Sequence, residues 1–505
     1  MSFFKKYSNP DTDTSHLSKN LGKNAAKAFA SVAVTQVIAN IIGLGGSIIL
    51  ARLLGPEEFG LMAMLATAIA LLTVFENFGL YFATVQKKYL SSDELNFLFW
   101  ANLGVASIMS VLMFFSAPYI ANFFEQPQLY ELAQVLSLAF ICRGAANQHA
   151  ALLNRKLQHG KSSLATTVAV FFATGGAIIM ALTGFGIWAL VWRQIIEAFV
   201  RMIMIWSFTQ WIPRWVKWDN AFIPSLTIGL NLTASNLMYY LSRNTDDILI
   251  GKFIGNAGLG HYKLSYQILL LPLRRLSEPV AQIMIPVLSQ LQDDAERYRR
   301  NYTRVAHILI LALWPIGVVF IMHADTLVYI IFGAEWFMAA EPLRWLASLL
   351  LIQGITNTTG WLLISQARSK EILYWSIFTS VTTIASFIIG LPYGIVGVAA
   401  AYVIVEYLRI PLLFYIIGRS GPVSIKNLYN LVLVHVPPLF IFVFVQWGVG
   451  QVIIDYSISF KILFIMVGGL SILPSILIFP HSRAILFDIF SHIKTIRNKE
   501  KTSLL

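Results

Sequence analysis

Apolar runs long enough to cross a lipid bilayer can be placed fourteen times along these 505 residues, from Ala28–Leu54 to Ile462–Phe479. Each crossing needs about 20 residues at ~1.5 Å per residue. This pattern constrains the fold more than any motif. Backbone groups in hydrocarbon must find their hydrogen bonds within the chain, and runs of this length do so as helices. The expected class is therefore an all-α polytopic membrane protein of about fourteen transmembrane helices. Composition agrees, with 57% hydrophobic and 12% charged residues, against about 25% charged in soluble domains.

The charge balance reads as topology. A net charge of +12 would suit nucleic acid, but most Lys and Arg fall in the loops and tails on one side of the spans. The opposite loops hold essentially none. By the positive-inside rule both termini are cytoplasmic, and no nucleic-acid partner is expected. The first 27 residues carry five lysines and no apolar h-region, so they read as a cytosolic tail and not as a signal peptide. Cys142 is the lone cysteine, and His149, His261 and His323 have no metal-ligand spacing; no metal or cofactor is expected. No GxxxxGK[ST] loop is present, which argues against direct ATP drive. No loop is long enough for a soluble catalytic domain, and the chain is not expected to be an enzyme.

A repeat organises the spans. "IILARLLGPEEFG" (Ile48–Gly60) returns as "ILIGKFIGNAGLG" (Ile248–Gly260), with Gly55 on Gly255, Gly60 on Gly260 and Arg52 on Lys252. In each copy an apolar helix ends near a cation, breaks at glycine and restarts. "GFGIWALVWRQIIEAFVR" and "PYGIVGVAAAYVIVEYLR" pair in the same way at an offset of 208 residues, Gly186 on Gly394. Two six-helix lobes follow, 28–208 and 222–417, related as parallel repeats. A cytosolic tail (1–27), an interfacial linker (209–221), two additional helices (418–480) and a basic cytosolic tail (481–505) complete the division. The charged segment Gln290–Arg304 is expected to prolong the eighth helix along the membrane surface.

These residues resemble a known family. "ARLLGPEEFGLMAM", "NTDDILIGKFIGNAGLGHYKLSYQI" and the "PVLSQLQDD" that follows are similar to the polysaccharide-transporter branch (Wzx-type flippases) of the multidrug/oligosaccharidyl-lipid/polysaccharide (MOP) superfamily. The resemblance covers essentially the whole chain. It implies a two-lobe, MATE-like V-shaped central cavity with alternating access. It also implies translocation of an oligosaccharide linked to undecaprenyl pyrophosphate across the bacterial cytoplasmic (inner) membrane, for exopolysaccharide, capsule or O-antigen synthesis. The partners would be the lipid-linked oligosaccharide, membrane lipids and the glycan polymerase or export machinery. The driving force would be an H+ or Na+ gradient or the membrane potential.

Ionisable groups inside spans cost about 2.5–3.5 kcal/mol at mid-helix on insertion scales, so each needs a reason. The densest cluster is "SRNTDD" (Ser242–Asp247), where Arg243 can meet Asp246 at i+3 or Asp247 at i+4. It reads either as a neutralised surface turn or as a cavity site, with Asp246 and Asp247 in ion coupling and Arg243 on substrate. Arg52 and Lys252 hold equivalent places in the two copies; they either bind the pyrophosphate or snorkel to the outer interface. Arg143 and Lys263 are further candidate substrate contacts. Glu76 has no basic residue within four positions and reads as a lone carboxylate, either a candidate proton carrier or a hydrogen-bonded neutral acid near the cytoplasmic end. Asn147 and Gln148 suit interhelical hydrogen bonds better than sugar binding. Arg193, Glu197 and Arg201 form one stripe, and Glu406 with Arg409 a shorter one; each either lines the cavity or is structural. Alternatives in the same class are a peptidoglycan-precursor flippase and a MATE-type drug/cation antiporter. The in-span charges are mainly basic, which disfavours a cationic drug. A membrane-embedded glycan polymerase or glycosyltransferase, from a different class, would ordinarily show a long outward loop, and none is present.

Overall fold

The computed structural model describes residues 21–76, 80–87, 90–216, 240, 244–452, 458–480 and 483. All regular structure among them is helical. By packing, the chain divides into two compact units, Met1–Gly260 and His261–Leu505. This division differs from the sequence repeat because the described end of the seventh span packs with the first unit: the Cα of Gly251 faces Phe124 and Met64 so closely that a Cβ would lie 2.9 and 3.3 Å from them.

The first unit contains α1 (Leu21–Leu53), α2 (Pro56–Glu76), α3 (Leu80–Gln86), α4 (Ser92–Phe124), α5 (Leu129–Leu136), α6 (Leu138–Arg155), α7 (His159–Leu182) and α8 (Trp188–Thr209). A further helical stretch, α9, covers 244–253. The next helix, α10 (Asn256–Gln290), starts in this unit and continues into the second. The second unit goes on with α11 (Ala295–Phe332), α12 (Ala340–Ala347), α13 (Leu350–Ser365), α14 (Ser369–Gly390), α15 (Gly394–Gly418), α16 (Ile425–Leu433), α17 (Val436–Val452), α18 (Ile458–Leu470) and α19 (Ile472–Ile478).

Among the described residues, eight helices are long and apolar enough to cross a membrane, nine if Ala334–Ala347 and Leu350–Ser365, bent by 50°, count as one span. Fourteen spans are consistent with this. One of the eight, Ser369–Gly418, is 50 residues long and contains both α14 and α15. The expected spans fall on described helices, several of them on two helices joined at a break, as Leu343–Ser365 is on α12 and α13; of the expected seventh span, Phe222–Ile254, only 240 and 244–254 lie among the described residues. Large apolar side chains such as Phe115, Ile179 and Ile389 are exposed on the outside of the bundle. Lipid tails are as apolar as leucine, so that surface costs nothing in a bilayer and would be intolerable in water. The chain is a multi-pass membrane protein.

Local chemistry sets the breaks. Ser91 caps α4 by accepting from the Glu94 amide at 3.0 Å, and Ser424 with Asn427 forms a reciprocal capping box on α16. Asp294 accepts from the Arg297 amide at 3.0 Å and starts α11. That cap corrects the expectation for Gln290–Arg304: the segment does not prolong the eighth helix, which ends at Gln290, but supplies the first turns of the ninth. α11 bends at His323 (φ −121°, ψ 23°); the part before the bend, 295–322, is still about 42 Å long at ~1.5 Å per residue, so it outruns a ~30 Å hydrocarbon core and leaves room for its arginine-rich start outside.

The repeated junction keeps its geometry in both copies. Leu54 N donates to Leu50 O at 2.8 Å, and Ile254 N to Ile250 O at 2.9 Å; Phe59 N donates to Gly55 O at 3.4 Å, and Leu259 N to Gly255 O at 3.1 Å. A second correspondence has no sequence signal. The α6–α7 and α13–α14 turns both place a non-glycine residue in the left-handed region, Leu157 at φ 55° and Ala367 at φ 53°. Both close with the same hydrogen-bond pair, Gln158 N to Leu153 O at 2.9 Å and Arg368 N to Leu363 O at 3.0 Å being the outer bonds.

The linker is pinned to the first unit. Trp215 stacks on Trp100 with ring centroids 3.9 Å apart, Trp100 Nε1 donates to Arg214 O at 3.1 Å, and Arg214 N donates to Asn96 Oδ1 at 3.0 Å. Residues 217–221 lie outside the described residues. At this end of the bundle Arg155 donates to the carbonyls of Thr84 (2.9 Å) and Lys87 (2.5 Å). The contacts join loops that alternation places on one side.

A buried charge cluster in the first unit

The C-terminal turn of α2 carries Glu76 into the bundle, where the residue is 1% exposed. The lone-carboxylate reading is corrected here: Arg143, on α6, brings Nη1 to 3.8 Å from Glu76 Oε2. Sequence spacing could not show this, because the partner comes from another helix through tertiary packing. Neither carboxylate oxygen accepts a hydrogen bond from the protein. The Arg143 guanidinium also sits 5.1 Å above the Phe140 ring, an additional favourable contact for a cation. Arg201, on α8, lies near enough to Glu76, Arg143, Glu197 and Tyr81 for their charges to act on it. Arg143 thus pairs with a buried carboxylate, and Arg201 and Glu197 lie within electrostatic reach of it and of each other.

Polar groups surround the cluster. Tyr81 accepts from Asn154, and Thr84 donates to Gln148 Oε1 at 2.7 Å. Gln148 is thereby fixed as interhelical glue, as its residue type suggested. Asn102 is buried with both side-chain amide atoms lacking a partner, and Nε2 of Gln148 lacks one too; the backbone of Asn102 on α4 packs against Gly144 on α6. Buried polar atoms are nearly always satisfied, so these atoms have hydrogen-bonding capacity that the protein itself does not use. The sequence reading separated Glu76 and Arg143 into different roles and treated Arg201 as part of a stripe. It passed over Asn102, for which no local pattern gives a signal.

The other predicted site residues fall elsewhere. Asp246 and Asp247 are buried on α9, at 6% and 2% exposure; Arg243 lies outside the described residues. Tyr240, within electrostatic reach of Asp247, donates its hydroxyl to Thr67 O on α2 at 2.9 Å and accepts at its carbonyl from Asn244. Lys252 donates to Glu125 Oε1 at 2.7 Å and lies 5.6 Å from the Phe123 ring centroid. That bond, and the ammonium charge behind it, hold the exposed Glu125 carboxylate below the usual carboxylate range. A lowered value means the pair is intact at neutral pH and dissolves as pH falls through the Glu125 titration. Arg52 is exposed at the end of α1. Lys263 belongs to the second unit, half-buried near the start of α10.

The stripe on the twelfth span has a defined partner. Arg409, buried on α15, donates to Glu406 Oε1, to Thr379 O and to the hydroxyls of Thr382 and Thr383 on α14, at 2.5 to 2.9 Å. These bonds fasten α14 to α15. Arg193, in the first unit, reaches Ser47 Oγ on α1 at 3.5 Å.

Comparison with known proteins places this architecture. The chain is 26% identical to the lipopolysaccharide biosynthesis protein WzxC of Escherichia coli (strain K12) over 391 residues, covering 76% of this chain and 79% of WzxC. It is 23% identical to the succinoglycan biosynthesis transport protein ExoT of Rhizobium meliloti (strain 1021), covering 66% and 68%. Among solved structures, the lipid II flippase MurJ in an inward closed conformation aligns with a TM-score of 0.72 at 16% identity, covering 88% of this chain and 98% of MurJ. An inward-facing multidrug resistance MATE family transporter of the MOP superfamily aligns with a TM-score of 0.61 at 16% identity, covering 80% and 99%. The model of the polysaccharide biosynthesis protein family matches residues 49–341, more than half of the chain and all of the charge cluster. The chain belongs to the polysaccharide biosynthesis protein family, on the fold of the MOP superfamily.

Proposed function

We propose that this protein is a flippase that moves an oligosaccharide linked to polyprenyl pyrophosphate across the bacterial inner membrane by alternating access, without a cofactor, coupled to an H+ or Na+ gradient. Both termini face the cytoplasm. The observation that carries the reading is the buried Glu76 carboxylate with the half-buried Arg143 and Arg201 near it, inside a chain of the polysaccharide biosynthesis family. Arginines in a low-dielectric interior suit a pyrophosphate, because charge-assisted bonds to phosphate oxygens are short and strong. A carboxylate among them can exchange a proton or cation as the anionic head group enters and leaves. The names of WzxC and ExoT, which tie relatives of similar length to glycan biosynthesis and transport, support the same substrate class.

Purified protein in liposomes should accelerate the movement of a fluorescent polyprenyl-pyrophosphate oligosaccharide between leaflets at least tenfold over protein-free vesicles. No acceleration with any imposed gradient would defeat the proposal. Lys252 and Arg52 provide a second test. If both cations bind pyrophosphate, replacing them together with Ala abolishes export while Glu125→Ala alone leaves it within about twofold. An exposed ion pair contributes only about 0–1 kcal/mol, so stability should hardly change in any of these variants. Full export by the double variant would remove both cations from the substrate path.

A further inference from the structure

The repeated unit closes upon itself. A Cβ on Gly60 would lie 1.7 Å from the carbonyl oxygen of Asn256; one on Gly260 would lie 2.1 Å from that of Pro56 and 3.2 Å from the amide nitrogen of Gly60. No side chain fits at either place. Gly60 corresponds to Gly260, and Pro56 to Asn256, at the same offset of 200 residues. The two approaches are therefore one contact made twice: in each copy the glycine at the fifth position of the helix touches the first helical residue of the other. Small residues let membrane helices approach this closely, and a self-complementary contact of this kind parts at both halves together.

Three features distinguish the crossing from ordinary core packing. It is backbone against backbone: an added Cβ would meet the carbonyls of Asn256 and Pro56 and the amide nitrogen of Gly60, and no side chain lies among those nearest atoms. Each helix start follows a break, at Gly55 and at Gly255 with φ +102°, about which the first turn can swing. Beneath it, the face of α2 formed by Gly60, Met64 and Thr67 leads to the buried Tyr240, whose hydroxyl donates to Thr67 O at 2.9 Å.

We propose that the reciprocal Gly60–Gly260 crossing is the outer closure of the translocation path, sealed by backbone contact and parted once in each cycle. The proposal rests on the flippase reading and on the orientation that places the α1–α2 and α9–α10 junctions outside. The test uses the full chain with Cys142→Ser and a reporter, Thr67→Cys, labelled by a membrane-impermeant maleimide added outside. Gly60→Ala and Gly260→Ala should each raise the labelling rate at least fivefold, because a methyl group holds the crossing apart. Gly104→Ala, where an added Cβ has nothing within 4 Å, should leave it within twofold. Unchanged labelling in both crossing variants, with the melting temperature retained, overturns the closure. A second arm keeps every glycine: Glu57→Cys and Ala257→Cys, joined by a cleavable bismaleimide, should lower export more than tenfold, and cleavage should restore it. Full export by the joined protein overturns the proposal even if the glycine variants fail to fold. Absence of export from the unmodified chain, with the labelling response intact, defeats the flippase reading and supports the closure.

Discussion

Glu76→Gln and Arg143→Gln, made singly, are each expected to lower glycan export more than tenfold, and the double variant should regain stability without regaining export. At 3.8 Å two unit charges attract by about 4 kcal/mol at an effective dielectric constant near 20, and much of that offsets their desolvation. Removing one partner of a buried pair costs about 3–5 kcal/mol, because the other charge is left uncompensated. Here the expected loss is about 2–3 kcal/mol, since the Arg143 side chain is 24% exposed and keeps some water. Glu76→Gln should be the worse of the two: it leaves Arg143 and Arg201 facing each other, whereas Arg143→Gln leaves Glu76 with Arg201. In the Gln/Gln double variant no charge is stranded between α2 and α6, so more than half of the lost stability should return. Detergent melting and export, measured on the same four proteins, check this. Export returning together with stability would make the cluster structural and remove it from the coupling mechanism.

Arg409→Met should be the most destabilising single change in the second unit, by about 3–5 kcal/mol. The guanidinium makes four bonds to α14 and to Glu406, and Met satisfies none of them, leaving a carboxylate and the freed threonine groups in the interior. Arg409→Lys should recover little, because one ammonium cannot span acceptors that a planar fork reaches together. Glu406→Gln should be milder, the Glu406 side chain being 24% exposed. The readout is the melting temperature set beside export. A role confined to fastening helices predicts that export falls only as far as the folded fraction does. A well-folded Arg409→Lys protein with export lost would instead place Arg409 on the substrate path.

Much of the architecture was legible in the residues because it is written locally. Runs of about 20 apolar residues declare helices in lipid wherever they occur. Glycine at 55 and 255 breaks them in both copies, and the junction hydrogen bonds confirm that register. The second correspondence, at Leu157 and Ala367, was not legible. A left-handed residue there is tolerated because the surrounding turn fixes it, and neither residue type advertises it. The start of α11 was misread for a related reason: charge alone suggested a surface extension, and the cap at Asp294 decided which helix owned it.

The site was legible in its members and not in its pairings. Glu76, Arg143, Asp246 and Asp247 stood out because charge in a span is costly and so demands a cause. Which charges meet was settled only by packing: Glu76 with Arg143 and Arg201, Lys252 with Glu125, Arg409 with the threonines of α14. Spacing along the chain reaches a partner only within about four residues on a helix face, whereas these partners come from different helices. The sequence by itself determined the class, the spans, the glycine breaks and the list of costly charges, since each depends on a residue and its near neighbours. Tertiary structure alone decided which charges neutralise one another and that Gly60 and Gly260 lie in reciprocal contact, since both depend on how closely helices remote in sequence approach.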